Sequence, residues 1–313
     1  MWPRATFLKW WGGLLVCLLT ASGCGVKSDP YGQQVKRVED YSVNGKQHLS
    51  QGDLKRAGRD FHRALDLSRG VDYQRGVAAQ LNNLGAVALE QGDLKKARQL
   101  FTQAWEVNRD SGHWADAATN QANLATVAMK EGRPDQAAQH LALAEDAARR
   151  SEAKGALVLV WSQLAGLALD QNDPARARTY LEQAQALNQP DLKGALHYGW
   201  GRLFLLQGNT AEALRHLTLA LEADKAALDL PAMAADLFLL GQTYQRRAEF
   251  DQAFTHYARA FEVYAALKKT AGAQKCRERL REVNIQGRLG RPLERFEEHP
   301  LFTPAKKTPP ENP

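Results

Sequence analysis

Cysteine is nearly missing from this chain: three residues in 313, at Cys17, Cys24 and Cys276. That count excludes a disulfide scaffold and any Cys-rich zinc or iron–sulfur site. Long apolar runs are missing too. The N-terminal run Trp10–Leu19 is shorter than the roughly 20 residues a membrane-spanning helix needs. Catalytic signatures do not occur: there is no GxxxxGK[ST], no GxSxG and no HExxH, and no two of the eight His stand three or four apart. Nor is there a large excess of one charge, since 41 Lys+Arg face 35 Asp+Glu for a formal +6. Such a balance gives no argument for nucleic-acid binding. What remains is ordinary globular composition, 44 % hydrophobic and 24 % charged, long enough for one or two cores.

The first residues read as a processing signal rather than as fold. Arg4 and Lys9 precede the apolar run, and Thr20-Ala21-Ser22-Gly23 leads into Cys24. Small residues directly before a Cys at this position resemble the bacterial lipoprotein signal, in which that Cys is acylated and becomes residue one. The family usually has Leu three residues before the Cys, and here Ala21 stands there. A plain secretory signal with an incidental Cys is the other reading. Cleavage before Cys24 removes two cations and no acid, leaving 290 residues at +4. Gly25 is not the Asp that in this class retains many proteins at the inner membrane. The resemblance therefore implies an outer-membrane anchor facing the periplasm, with Cys24 in the bilayer.

The body is a repeat. Small residues mark six segments: Gly45, Gly85, Ala125, Ala165, Gly201 and Gly241, at intervals of 40, 40, 40, 36 and 40. Seven residues after each mark comes a turn residue, Gly52, Gly92, Gly132, Asn172, Gly208 or Ala248. Five further on is always Ala, and four beyond that a bulky residue: Phe61, Phe101, Leu141, Leu181, Leu217, Tyr257. Gly and Asn suit a left-handed helix C-terminus; Ala248 fits least and reads as a different turn. Asp53, Asp93 and Asp173-Pro174 are N-cap signals. Helix–turn–helix units of this kind cannot bury their apolar faces alone and must stack.

The segments QLNNLGAVALEQGDLKKARQLFTQAWEV (80–107), WSQLAGLALDQNDPARARTYLEQAQAL (161–187) and LFLLGQTYQRRAEFDQAFTHYARAFEV (237–263) resemble the tetratricopeptide repeat family. Trp161 fills the position where the family often has Trp, and Leu84, Leu124 and Leu164 fill the next apolar column. The unit of 40 is longer than the family's 34, as in the kinesin light chain type and bacterial signalling types. The expected fold is an all-α solenoid of about six helix–turn–helix units with a C-terminal capping helix. The expected order is a signal peptide at 1–23, the lipidated Cys and a linker at 24–37, the solenoid with its cap at 38–283, and a Pro-rich tail at 284–313. Ala273, Cys276, Leu280 and Val283 recur at helical spacing and make the cap, with Cys276 facing inward. The tail is either loose or laid along the solenoid, and its last ten residues read as disordered.

In the resembled family the first helix of each unit lines the concave face. Carried over by the marks, the groove candidates are Asn82, Asn83, Asn123, Thr126, Gln163, Tyr198, Arg202, Phe238, Gln242 and Arg246. Asn83, Asn123 and Gln163 share one column in three successive units. Carboxamides donate to peptide C=O and accept from peptide N–H at once, so this row resembles the ladder with which related solenoids hold an extended backbone. The alternative is a structural network that bonds neighbouring helices. Tyr198, Phe238, Arg202 and Arg246 suit an acidic or apolar peptide end; alternatively the aromatics are core and the Arg residues face solvent. The family's carboxylate clamp is not complete here. The implied function is a non-catalytic, membrane-anchored adaptor or assembly factor for a protein or peptide partner in the cell envelope. No nucleic acid, metal or cofactor is implied. A structural, homo-oligomeric envelope component and an enzyme with a composite site between repeats are the alternatives.

Overall fold

The computed structural model describes residues 29–302. The expected signal peptide, Cys24 and residues 303–313 lie outside the described residues. Helices pair in chain order: α1 (Pro30–Ser50) with α2 (Leu54–Gly70), α3 (Gln74–Glu90) with α4 (Leu94–Asp110), and α5 (Trp114–Lys130) with α6 (Pro134–Arg150). Then come α7 (Lys154–Asp170) with α8 (Pro174–Ala186), α9 (Lys193–Leu206) with α10 (Thr210–Ala226), and α11 (Leu230–Arg246) with α12 (Phe250–Ala266). The cap is α13 (Thr270–Gln286), followed by the short α14 (Glu294–Glu297). There is no strand among the described residues. The architecture is the expected all-α solenoid of six units and a capping helix.

The repeat length follows from its parts. A 17-residue helix and a three-residue turn, taken twice, span 40 residues. The one interval of 36 arises in the fourth and fifth units. There α8 has 13 residues, α9 has 14, and a 3-10 turn at Pro190–Leu192 lengthens the connection. α1 begins at Pro30, within the segment expected as linker, because Asp29 caps it: its side chain accepts from Gly32 N at 3.0 Å. Asp53, Asp93 and Asp173 cap as the sequence predicts, accepting from Arg56, Lys96 and Arg176 N at 2.9, 3.0 and 2.9 Å.

The turns are more uniform than the sequence. The left-handed residue is Gly52 or Gly92 within early units, and Asp72, Gly112, Glu152, Leu228 or Lys268 between units. Ala248 does not mark a different turn: its φ is 57°. Glu249 N donates to Tyr244 O at 3.0 Å, as Asp53 N donates to His48 O at 2.9 Å. The same helix-ending bond pattern closes both, satisfying carbonyls the helix leaves free.

Within each unit a small residue on the first helix meets a bulky residue on the second. A Cβ added at Gly45, Gly85 or Gly241 would stand 2.5–2.6 Å from the ring of Phe61, Phe101 or Tyr257. Where the partner is Leu141 or Leu181, the small residue is Ala125 or Ala165. Gly201 opposite Leu217 is the exception, with the same tight approach of 2.6 Å. All six bulky residues are buried to 2 % exposure or less. The columns read from the sequence are thus the contact surface between paired helices.

First helices also touch first helices of the next unit, more closely than second helices approach one another. The first helices therefore lie on the inner, tightly curved side. Six units bring the ends together. Gly52, in the first unit's turn, lies against the Leu267 carbonyl, and Lys269 Nζ is 3.1 Å from Glu90 Oε1. At the C-terminal end Ala273, Cys276, Leu280 and Val283 are fully buried. The segment after α13 is laid along it. Phe296 is buried at 5.1 Å from the Phe261 ring, and the Asn284 side chain exchanges two 3.0 Å bonds with the Arg291 backbone.

Two stability predictions follow from these contacts. Leu228 is 78 % exposed at φ 55°, so Leu228→Gly raises stability by about 0.5–1 kcal/mol in urea unfolding. A loss instead would show that this turn carries no backbone strain. Gly85→Ala overpacks against Phe101, at a cost of about 1–3 kcal/mol that helix propensity offsets by about 1. Gly85→Ala with Phe101→Leu reproduces the pairing of the third and fourth units. A double-mutant cycle gives a favourable coupling of about 1 kcal/mol or more; additivity would refute the pairing rule.

Candidate peptide-binding groove

Each first helix presents a partly exposed stripe to the inner side. Asn83, Asn123 and Gln163 occupy it, followed one turn on by Ala86, Thr126 and Gly166, and then by Arg202 and Gln242 in later units. The sequence candidates thus fall on one surface, but their side chains are differently engaged. Asn123 Nδ2 and Asn120 Nδ2 both donate to Asn82 Oδ1, at 2.8 and 3.0 Å, and Asn108 Nδ2 donates to Asn120 Oδ1 at 2.7 Å. This amide chain ties α3, α4 and α5. Asn83 Nδ2 donates to Gln80 Oε1 at 3.1 Å and reaches Ser42 Oγ at 3.5 Å. Thr126 Oγ1 donates to Ala122 O. Gln163 and Gln242 make no side-chain hydrogen bond among the described residues, and both are half-buried.

In the C-terminal half, Tyr198 and Phe238 are partly buried against the last core cluster. The Phe238 ring lies 5.4 Å from that of Tyr257, and burial pushes the Tyr198 hydroxyl above its ordinary value. Arg202 donates to Asp170 at 2.6 Å, joining α9 to α7. The Arg246 guanidinium donates to the Leu205 carbonyl. These two cations are therefore engaged inside the solenoid as well as facing the groove.

Where the two ends of the solenoid meet, they border an open cleft of about 1170 Å³. The C-terminal ends of α1, α3 and α5 form one wall, and the starts of α11 and α13 with the end of α12 form the other. No group of three or more His, Cys, Asp or Glu is placed to hold a metal among the described residues. No helix among them is long and apolar enough to cross a membrane. The Cys276 thiol is fully buried, and burial pushes its pKa up to about 12, so it stays protonated at neutral pH.

A family model described as tetratricopeptide repeat matches residues 42–110 and 193–284. The chain belongs to the tetratricopeptide repeat family. No curated protein matches it. Among solved structures, the apo form of RapI is similar with a TM-score of 0.58 at 13 % identity, covering 75 % of this chain and 85 % of that one. A Rap protein complexed with competence and sporulation factor has a TM-score of 0.56 at 14 % identity, covering 82 % of this chain and 77 % of that one. A signal transduction ATPase with a tetratricopeptide repeat sensor from Pyrococcus horikoshii has a TM-score of 0.53 at 14 % identity. That match covers 83 % of this chain, which spans 40 % of the ATPase chain. At these identities the likeness is one of fold.

This tetratricopeptide solenoid also holds polar pairs that sequence reading missed. They sit at the junctions between units, twelve residues apart. Ser68 and Gln80 occupy the first junction, the hydrogen-bonded Asn108 and Asn120 the second, and Asp224 and Asp236 the same places before the last unit. The two carboxyls are within hydrogen-bond reach of each other. Asp236 is fully buried, and its oxygens have no other partner among the described residues. Burial first, then the neighbouring Asp224 charge, raises its pKa to about 9, which favours the neutral carboxyl. His197 and His216 form a second hidden pair, 3.0 Å apart between Nδ1 atoms. They take the places that Gln121 and His140 hold in the third unit, bonded at 2.8 Å. Burial pushes the His216 pKa down to about 4. A spacing of twelve or nineteen residues between polar groups is the only sequence signal for these pairs, and it has meaning only once the helices are docked.

The carboxyl pair gives a pH prediction with a definite sign. Asp236 is neutral when folded, whereas the unfolded carboxyl ionises near pH 4. Its contribution is therefore complete in acid and is lost as pH rises from about 4 toward the raised folded value. Asp236→Asn replaces one carboxyl of the pair by an amide, which carries no charge and can donate to Asp224. At pH 8 it is more stable than the parent by about 1 kcal/mol or more, and the gain shrinks toward pH 4. Equal stability at both pH values in thermal unfolding would remove the raised Asp236 pKa.

Proposed function

We propose that the protein is a non-catalytic adaptor or assembly factor, lipid-anchored through Cys24 in the cell envelope, that captures a protein or peptide segment on its inner face. The observation that carries this reading is the inner stripe: half-buried Gln163 and Gln242 amides, unengaged by other described residues, beside the amide chain of Asn82 and Asn123. Amides in this state can bond a peptide backbone in both senses. The tetratricopeptide fold is consistent with binding, and the Rap protein's solved complex with competence and sporulation factor shows that a similar fold takes a ligand. The envelope location rests on the Cys24 signal alone. An anchor there would hold the partner at the membrane and raise its effective concentration; an outer membrane facing the periplasm is the location the Gly25 position favours.

Affinity capture of the full-length protein, crosslinked in intact cells, tests the groove. Gln163→Ala with Gln242→Ala abolishes or strongly weakens capture of a specific partner and leaves the melting temperature unchanged. Asn123→Ala also costs stability, about 1 kcal/mol, because it cuts the amide chain. Capture that persists with both Gln residues replaced moves the binding surface elsewhere. Separately, Cys24→Ala shifts the protein out of the membrane fraction and blocks incorporation of labelled palmitate. Unchanged fractionation would remove the lipid anchor.

A further inference from the structure

The cavity between the first and last units exists only because the solenoid closes on itself, and its walls carry an unusual charge pattern. Lys46, Lys55, Lys130 and Lys268 line it without any ion pair or hydrogen bond from their ammonium groups. The acids on the walls are fewer. Asp53 and Asp229 cap α2 and α11, and Glu90 pairs with Lys269. The lining thus holds five Lys against Asp53, Asp229 and Glu90, a formal excess of two positive charges on an open cleft, where charges of one sign attract an anionic ligand.

A second feature has the same sign. α13 starts on this cavity, and no side chain caps it. Ala271 and Gly272, in its first turn, line the space, and their N–H groups make no backbone hydrogen bond outside the helix. A 17-residue helix places about half a positive charge at that end. Leu49, Leu89 and Leu267 give the same cavity apolar contact area.

We propose that this seam binds an acidic peptide segment of the captured partner. Its volume of about 1170 Å³ is that of a large ligand pocket, suited to a short extended strand of chain and too confined for a nucleic-acid duplex. Tyr264 is its only aromatic among the described lining residues, so it lacks the stacking platforms that single-stranded nucleic acid needs. The Glu90–Lys269 pair is the built-in competitor. A carboxylate of the partner takes Lys269 from Glu90 and reaches the α13 N–H groups, while the other lysines bind its neighbours. The ligand therefore contacts both ends of the solenoid at once and is held by the ring that its binding loosens. This proposal rests on the adaptor function and assigns the chemistry of the partner.

The test uses full-length protein in mild detergent and a fluorescein-labelled oligoglutamate peptide, read by fluorescence anisotropy. Saturable binding that weakens with added salt is expected, with no binding of an oligolysine of the same length. Lys130→Gln with Lys268→Gln, two exposed positions outside the ion pair, weakens binding at least tenfold without changing helix content. Glu90→Gln tightens it severalfold by freeing Lys269. Absence of oligoglutamate binding overturns the proposal, as does an affinity indifferent to the Lys130 and Lys268 changes. Equal or tighter binding of a single-stranded oligonucleotide or of anionic vesicles overturns the assignment to a peptide. The adaptor reading fails separately. Partner capture in cells that survives the lysine changes but is lost with Gln163→Ala and Gln242→Ala sinks the seam and keeps the adaptor; capture of no partner at all sinks both.

Discussion

The molecule depends on one steric fit: a Gly or Ala on each first helix opposite a bulky side chain sixteen residues later. The fit sets how closely the two helices of a unit approach. Phe61, Phe101 and Tyr257 need Gly, because even a methyl would stand 2.5–2.6 Å from the ring; Leu141 and Leu181 leave room for Ala. Since interiors are close-packed and do not deform smoothly, the same fit repeated six times gives nearly the same unit six times. A nearly constant unit turns the chain by a nearly constant step. The first turn then arrives beside the last, with Gly52 on Leu267 and Glu90 on Lys269.

Between units the fit is looser in chemistry but constant in place. One junction position holds Ser68 with Gln80, then Asn108 with Asn120, then Ala148 with Val160, then Asp224 with Asp236, and finally Tyr264 with Cys276. An apolar pair, an amide pair and a carboxyl pair all fit the same gap. Buried polar groups demand partners: Asn108 bonds Asn120 across its junction, whereas Ser68 and Gln80 bond within their own helices. The carboxyl version adds a pH dependence. These junctions lie behind the inner stripe and set the spacing of the groove that the proposed function uses.

The helices, their pairing and the cap were legible in the sequence because each leaves a local mark. Left-handed Gly, N-capping Asp and the Ala columns recur at the repeat interval, and each acts within a turn or two of chain. The turns between units were less legible. Glu152, Leu228 and Lys268 adopt the left-handed conformation without being residues that favour it, because packing on both sides over-determines the bend. The amides of the groove were legible as a column but not as a network. Whether Asn123 faces a ligand or bonds Asn82 depends on the neighbouring helix, which the residue spacing does not report.

By itself, the sequence determined the repeat class, the number of units and the small-to-large contacts, since all are short-range patterns. Only the tertiary structure decided which polar residues meet, that Asp236 is buried beside Asp224, and that the two ends close around a basic cavity. Those outcomes come from summing small rotations over more than two hundred residues, and no local pattern encodes such a sum.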